Sequence, residues 1–152
     1  MIVIRLAKLI ADSGKTVPTS PVNQSKLTFN TWAINGSEKK ALVHVNKVFL
    51  ELLGIKPAKN LDIIRVVGDS MEPFIKNGEY VIIERTHVAR NNEIVIAVVD
   101  GEVYVKRLQK DPVRRIVKLT SANPAYLDIE LKEEELDKFR IIGVIRAKIR
   151  LL

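Results

Sequence analysis

From residue 61 onward the chain is written in short apolar runs rich in valine and isoleucine, separated by polar turns. The runs cover residues 63–67, 80–84, 93–99, 102–108, 115–120 and 140–149, and each has the length and β-branched content of a strand. Asn77-Gly78 and Asp100-Gly101 are turn dipeptides, and the second joins two runs so closely that it predicts a two-residue hairpin. In that hairpin, alternation puts Val103, Val105 and Arg107 on one face and Tyr104, Lys106 and Leu108 on the other. Residues 130–139 are acidic and predict a surface helical turn, and Asn123-Pro124-Ala125-Tyr126 predicts a loop, since the proline keeps Asn123 out of the helical region.

The front of the chain follows other rules. Residues 2–11 fit a short amphipathic helix or a strand, and residues 12–30 are rich in Ser, Thr, Pro, Asn and Lys, the composition of an extended linker or arm. After Phe29, Trp32 and Ile34, the dipeptide Asn35-Gly36 predicts a turn, and Ser37 is placed to cap a helix over residues 38–53. Leu42, Val45, Val48, Phe49 and Leu52 would form its core-facing stripe, with Gly54 and Pro57 ending it, although Val43, Val45 and Val48 also suit a strand over part of this stretch.

Composition narrows the chemistry. With 152 residues and 47% hydrophobic positions the chain can bury a core without covalent staples, and with no cysteine it has neither disulfides nor thiolate chemistry. No cofactor or metal is expected. The longest apolar stretch, residues 94–99, is far shorter than the roughly 20 residues a membrane helix needs, and no signal-peptide pattern opens the chain, so a cytoplasmic protein without membrane contact is expected. The net charge of +7 is concentrated at the front: residues 1–60 hold nine Lys/Arg against three Asp/Glu, whereas residues 61–152 are nearly balanced. A solvated basic arm and a nucleic-acid-binding segment both accommodate that excess.

One stretch departs from ordinary packing. Gly68-Asp69-Ser70-Met71-Glu72-Pro73 follows an apolar strand directly, so a constrained turn presents the hydroxyl of Ser70. A serine needs a base to act as a nucleophile. The two histidines, His44 within the helical pattern and His87 in a polar loop, are poorly set for that role, whereas Lys106 shares a strand face with apolar neighbours. A desolvated lysine loses its proton more readily and accepts one from a hydroxyl; a lysine merely snorkelling at a sheet edge does not.

Taken together, Val67-Gly68-Asp69-Ser70-Met71-Glu72-Pro73, Asn77-Gly78-Glu79 and, 36 residues after Ser70, Val103-Tyr104-Val105-Lys106-Arg107-Leu108 resemble the LexA/UmuD/phage-repressor family of self-cleaving serine peptidases (S24). The likeness runs from about residue 50 to 149, through Leu119-Thr120-Ser121-Ala122-Asn123-Pro124 and residues 141–145. It implies a mainly β fold of LexA/signal-peptidase type, a β-clip or β-ribbon domain over residues 37–152 behind an N-terminal arm at 1–36. It further implies a Ser–Lys dyad of Ser70 as nucleophile and Lys106 as general base, with the backbone N–H groups of Asp69 and Ser70 meeting the oxyanion.

In that family the substrate is the chain's own upstream segment, cut between a small residue and glycine. Asn35-Gly36, 35 residues ahead of Ser70, stands in that region and is either the scissile bond or a turn. The resemblance thus implies self-cleavage of the arm in an SOS-type DNA-damage response, with an activated recombinase filament as co-protease, and a homodimer. The apolar C-terminal strand over residues 141–152, whose edge could pair with a partner, is compatible with that dimer. Fewer than 36 residues precede Gly36, too few for a helix-turn-helix unit, which gives the chain the proportions of UmuD-like proteins and makes a translesion polymerase a possible partner. The alternative is a dimeric interaction module, or truncated repressor-type regulator, that binds a polymerase or DNA without cleavage.

Overall fold

The computed structural model describes residues 26–32, 41–56 and 60–150, with side chains from residue 46 onward. Nine strands form one sheet: β1 Lys26–Trp32, β2 Ala41–Asn46, β3 Leu61–Arg65, β4 Tyr80–Glu84, β5 Ile94–Val99, β6 Glu102–Asp111, β7 Ile116–Thr120, β8 Ile129–Lys132 and β9 Phe139–Ile149. A helix, α1 Lys47–Leu52, and a 3-10 helix, Glu133–Lys138, complete the described elements. The strands lie in the order β2-β1-β3-β4-β9-β5-β6-β7-β8, antiparallel throughout except for a short parallel contact between β1 and β3.

The mainly β expectation is met, and the runs read from the sequence fall on β3 to β7 and β9 within a few residues. The Asp100-Gly101 hairpin forms with φ of 49° and 81°, both positive as a type I′ turn requires. Strand β5 explains its own unbroken hydrophobicity. Ile94, Ile96 and Val98 pack into one core with Ile64, Val66, Met71, Ile75, Val81, Ile83, Val103, Val105 and Ile142, while Val95 and Ala97 pack into a second with Leu108, Leu119, Ile141 and Val144. A strand buried on both faces has no polar alternation to show.

Three expectations change. Residues 26–30, assigned to a linker, belong to β1, which pairs with β2 in the register Leu27↔Val45 and Phe29↔Val43. The helix expected over 38–53 is instead strand to Asn46 and helix only from Lys47, capped by Asn46, whose Oδ1 accepts the Val48 N–H at 2.8 Å. The β-branched residues at 43 and 45 win once a neighbouring strand is available to pair. Ser37, the expected cap, lies outside the described residues, while Gly54, with φ of 74°, does end the helix. The expected core stripe is also wrong over α1: Val48, Phe49 and Leu52 are 59%, 53% and 81% exposed, and the buried residue is Leu50, which packs with Ile55, Leu61, Ile63 and Ile82.

Strand β9 has a larger consequence. The C-terminal strand expected to pair a dimer is an interior strand, laddered to β5 from Phe139↔Val99 to Val144↔Val95 and to β4 from Val144↔Glu84 to Ile149↔Tyr80. Strands β4 and β5 are not ladder neighbours, so β9 is what joins β1–β4 to β5–β8. Ser70 follows β3 on one side of that seam and Lys106 lies in β6 on the other. Among the described residues no helix is long and apolar enough to cross a membrane.

Candidate active site

The turn that carries Ser70 is held at both ends. After β3, Val66 N–H donates to Glu79 O at 2.8 Å and Gly78 N–H to Val66 O at 2.7 Å, which closes the excursion into a loop. Gly68 has φ of 105°, a conformation that side chains resist, and its N–H is fixed on Asn77 Oδ1 at 2.8 Å. Asn77 N–H in turn donates to Glu72 Oε1 at 3.0 Å. Within the loop, Glu72 N–H donates to Asp69 O and Ile75 N–H to Met71 O. Met71 and Ile75 are fully buried in the first core, so the apolar residues of the turn act as its anchors. The end of β9 is tied to the same loop, with Lys148 Nζ donating to Phe74 O and Arg150 paired with Glu79.

Ser70 itself is buried, and its Oγ has no hydrogen-bond partner among the described residues. A hydroxyl in that state forgoes about 1 kcal/mol or more of hydrogen bonding, which packing alone does not repay. Among the described residues, neither the Asp69 nor the Ser70 N–H donates to a protein acceptor, whereas both carbonyls are used: Asp69 O takes Glu72 N–H and Asn123 Nδ2, and Ser70 O takes Asn123 N–H at 3.0 Å.

Lys106 is 4% exposed, not a snorkelling edge residue. It lies on the strand face opposite Val103 and Val105, which both point into the first core. Its Nζ donates to Ser121 Oγ at 2.6 Å and stands 5.3 Å from the centre of the Tyr126 ring. Burial pushes the Lys106 ammonium below its ordinary value, and the carboxylate of Asp128 partly offsets this. The neutral amine, the form able to accept a proton, is thereby favoured at a lower pH than for a free lysine.

The sequence reading places residues 119–124 within the family likeness and residues 123–126 in a loop but gives them no role; the loop from Ser121 to Tyr126 after β7 is the third component. It touches both halves: Ser121 holds Lys106, Asn123 grips the backbone of Asp69 and Ser70, and the Tyr126 hydroxyl donates to Asp69 Oδ1. That bond to Asp69 also holds the Tyr126 phenol above its usual value. The hint available in the sequence was register: with Arg107 opposite Thr120, the next position places Ser121 across from Lys106. His87 is accounted for otherwise, its Nδ1–H donating to Ile141 O at 2.7 Å and bracing β9. Asn35 and Gly36 lie outside the described residues, in the span between β1 and β2. Among the described residues no group of three or more His, Asp or Glu is arranged to hold a metal ion.

Comparison with known proteins gives the relationship. The family model described as Peptidase S24-like matches residues 21–146, most of the chain. Curated relatives include the LexA repressor of Carboxydothermus hydrogenoformans, 40% identical over 91 residues, covering 59% of this chain and 45% of the repressor. The LexA repressor of Desulfatibacillum aliphaticivorans is 40% identical over 88 residues, covering 57% and 42%. That of Clostridium botulinum strain Hall is 33% identical over 113 residues, covering 73% and 55%. The chain thus spans about half the length of the curated relatives it matches. With the family model matched over both Ser70 and Lys106, the chain belongs to the peptidase S24-like family.

Proposed function

We propose that this protein is a Ser–Lys dyad autopeptidase that cuts its own N-terminal segment between Asn35 and Gly36. The observation that carries the reading is the conjunction of a buried serine hydroxyl left without a hydrogen-bond partner and a buried lysine whose ammonium is destabilised. In the proposed reaction neutral Lys106 takes the Ser70 Oγ proton as Oγ bonds to the Asn35 carbonyl carbon. The N–H groups of Asp69 and Ser70 receive the negative charge that builds on the carbonyl oxygen. Collapse of the tetrahedral adduct breaks the Asn35–Gly36 bond, and the lysine ammonium returns its proton to the Gly36 amine. Water then hydrolyses the Asn35–Ser70 ester.

Glycine on the leaving side suits a buried nucleophile, because a backbone without Cβ bends into a tight site. The wider reading is a homodimeric, cytoplasmic regulator of an SOS-type response, stimulated by a recombinase filament and acting on a translesion polymerase or on DNA. The relatives' repressor names support regulation in general.

The test is incubation of the protein from pH 7 to 10, with and without activated recombinase filaments, followed by mass spectrometry. We expect fragments ending at Asn35 and starting at Gly36, forming faster at higher pH, and none from Ser70→Ala or Lys106→Ala. An intact chain under conditions where a related repressor is cut would reject the reading. A second reading, an interaction module without cleavage, is favoured by one observation: Lys106 Nζ is hydrogen-bonded to Ser121 and not to Ser70. Under that reading, partner association survives Ser70→Ala and is lost on deleting residues 1–25, which leaves β1 in place.

A further inference from the structure

The loop from Ser121 to Tyr126 is short and contacts both the Ser70 turn and Lys106. Its Asn123 fixes the two carbonyls on either side of the Asp69–Ser70 junction. Its Tyr126 bonds the Asp69 carboxylate and lays its ring near the lysine nitrogen. Its Ser121 Oγ stands 2.6 Å from Lys106 Nζ, within the range of a strong charge-assisted hydrogen bond. Ser121 is only partly buried, and its hydroxyl is engaged by the lysine.

We infer that Ser121 is a positioning residue for Lys106, holding one N–H of the Nζ and so restricting the directions left to the nitrogen's lone pair. This deepens the dyad reading and rests on it. A primary amine at the end of four methylenes rotates freely about its last bond; committing one N–H to a fixed acceptor leaves the lone pair of the neutral amine only two directions. The groups that face the Nζ are then the Ser121 hydroxyl, the Tyr126 ring with Asp69 behind it, and the Asp128 carboxylate. An oxygen acceptor favours the ammonium over the amine, so Ser121 opposes the effect of burial and limits how readily Lys106 loses its proton.

Two measurements test this. The first follows self-cleavage rate against pH for the wild type, Ser121→Ala and Ser121→Thr. Ser121→Ala is expected to lower the plateau rate about tenfold, the effect of losing one hydrogen bond that orients the amine. It should also move the midpoint of the pH profile to lower pH, and Ser121→Thr, which keeps the hydroxyl, should restore both. A general loss of stability would lower the rate without moving the midpoint. A Ser121→Ala variant that cleaves faster would show that the serine ties up the lone pair, and would overturn the inference.

The second measurement does not need cleavage. In chains carrying Ser70→Ala, the Lys106 side chain is titrated by NMR with lysine labelled at Cε, with and without Ser121→Ala. A midpoint shifted to lower pH supports the inference, and an unchanged midpoint overturns it. If the midpoint shifts while the wild type never cuts itself, the contact is established and the autopeptidase reading fails.

Discussion

Burying a lysine beside two strands of valine has a thermodynamic signature that does not depend on catalysis. Because burial lowers the Lys106 midpoint, the unfolded chain binds the extra proton between that midpoint and the ordinary 10.5, and stability rises with pH across that window. At neutral pH the folded chain carries the cost. Lys106→Met, which keeps the volume and removes the charge, should therefore raise Tm at pH 7 by about 3 °C. The gain should shrink toward pH 10, and thermal melts at the two pH values check both statements. Equal changes at both pH values would mean that burial of the charge is not the cause. Ser70 stood out in the sequence as a hydroxyl in a glycine–proline turn, whereas Lys106, a cation on an apolar face, became the favoured base only through the spacing of the two motifs and the family likeness they carry. Ser121, Asn123 and Tyr126 did not stand out, since polar residues in a loop look alike until register and hydrogen bonds give them partners.

At the scale of elements, alternation and turn dipeptides located the strands from β3 onward, apart from β8, because buried β-branched runs bounded by glycine leave few other options. They failed over residues 41–52, where one stretch holds both a strand and a helix and where the outcome depends on β1 lying alongside. The β5–β6 hairpin permits a clean test. A Cβ built on Gly101 would meet nothing within 4 Å, yet φ there is 81°, so Gly101→Ala should cost about 1 kcal/mol through backbone strain alone. Urea unfolding would read this as a lower midpoint at unchanged slope. The Ser70 turn is different, because its hold is side-chain packing. Met71 is fully buried, so Met71→Ala should cost about 2–5 kcal/mol by leaving a cavity, and should slow any cleavage more than Gly101→Ala does.

Over the whole molecule, the seam at β9 is reinforced by charge at both ends. Arg146 pairs with Glu84 at 2.8 Å and with Glu93 at 2.7 Å, linking β4, the approach to β5 and β9 in one network. Arg150 grips Glu79 beyond the Ser70 loop, and its hydrogen bond holds the Glu79 carboxyl down to about 2. The sign follows: this contribution is present above the ordinary 4.5 and is lost as pH falls through about 2. Arg150→Met should raise the Glu79 midpoint toward its ordinary value, the Lys76 N–H and Lys148 still holding it below, which NMR of the carboxyl carbons would show, with the remaining fold unchanged at neutral pH. The charge asymmetry noted in the sequence is legible at this scale only as a total, since much of the basic front lies outside the described residues.

The place of β9 in the sheet also carries a consequence for the order of events in the life of the chain. A ribosome makes the Ser70 loop first and the β5–β6 hairpin with Lys106 soon after, but the strand laddered to both sides comes only at Phe139–Ile149. A nascent chain therefore holds Ser70 and Lys106 for tens of residues of synthesis before the seam between them is closed. Under the proposed dyad, self-cutting waits until β9 has laddered the two halves of the sheet together. Ribosome-arrested chains stalled before residue 139 should stay intact at alkaline pH, whereas chains with β9 clear of the exit tunnel should cleave.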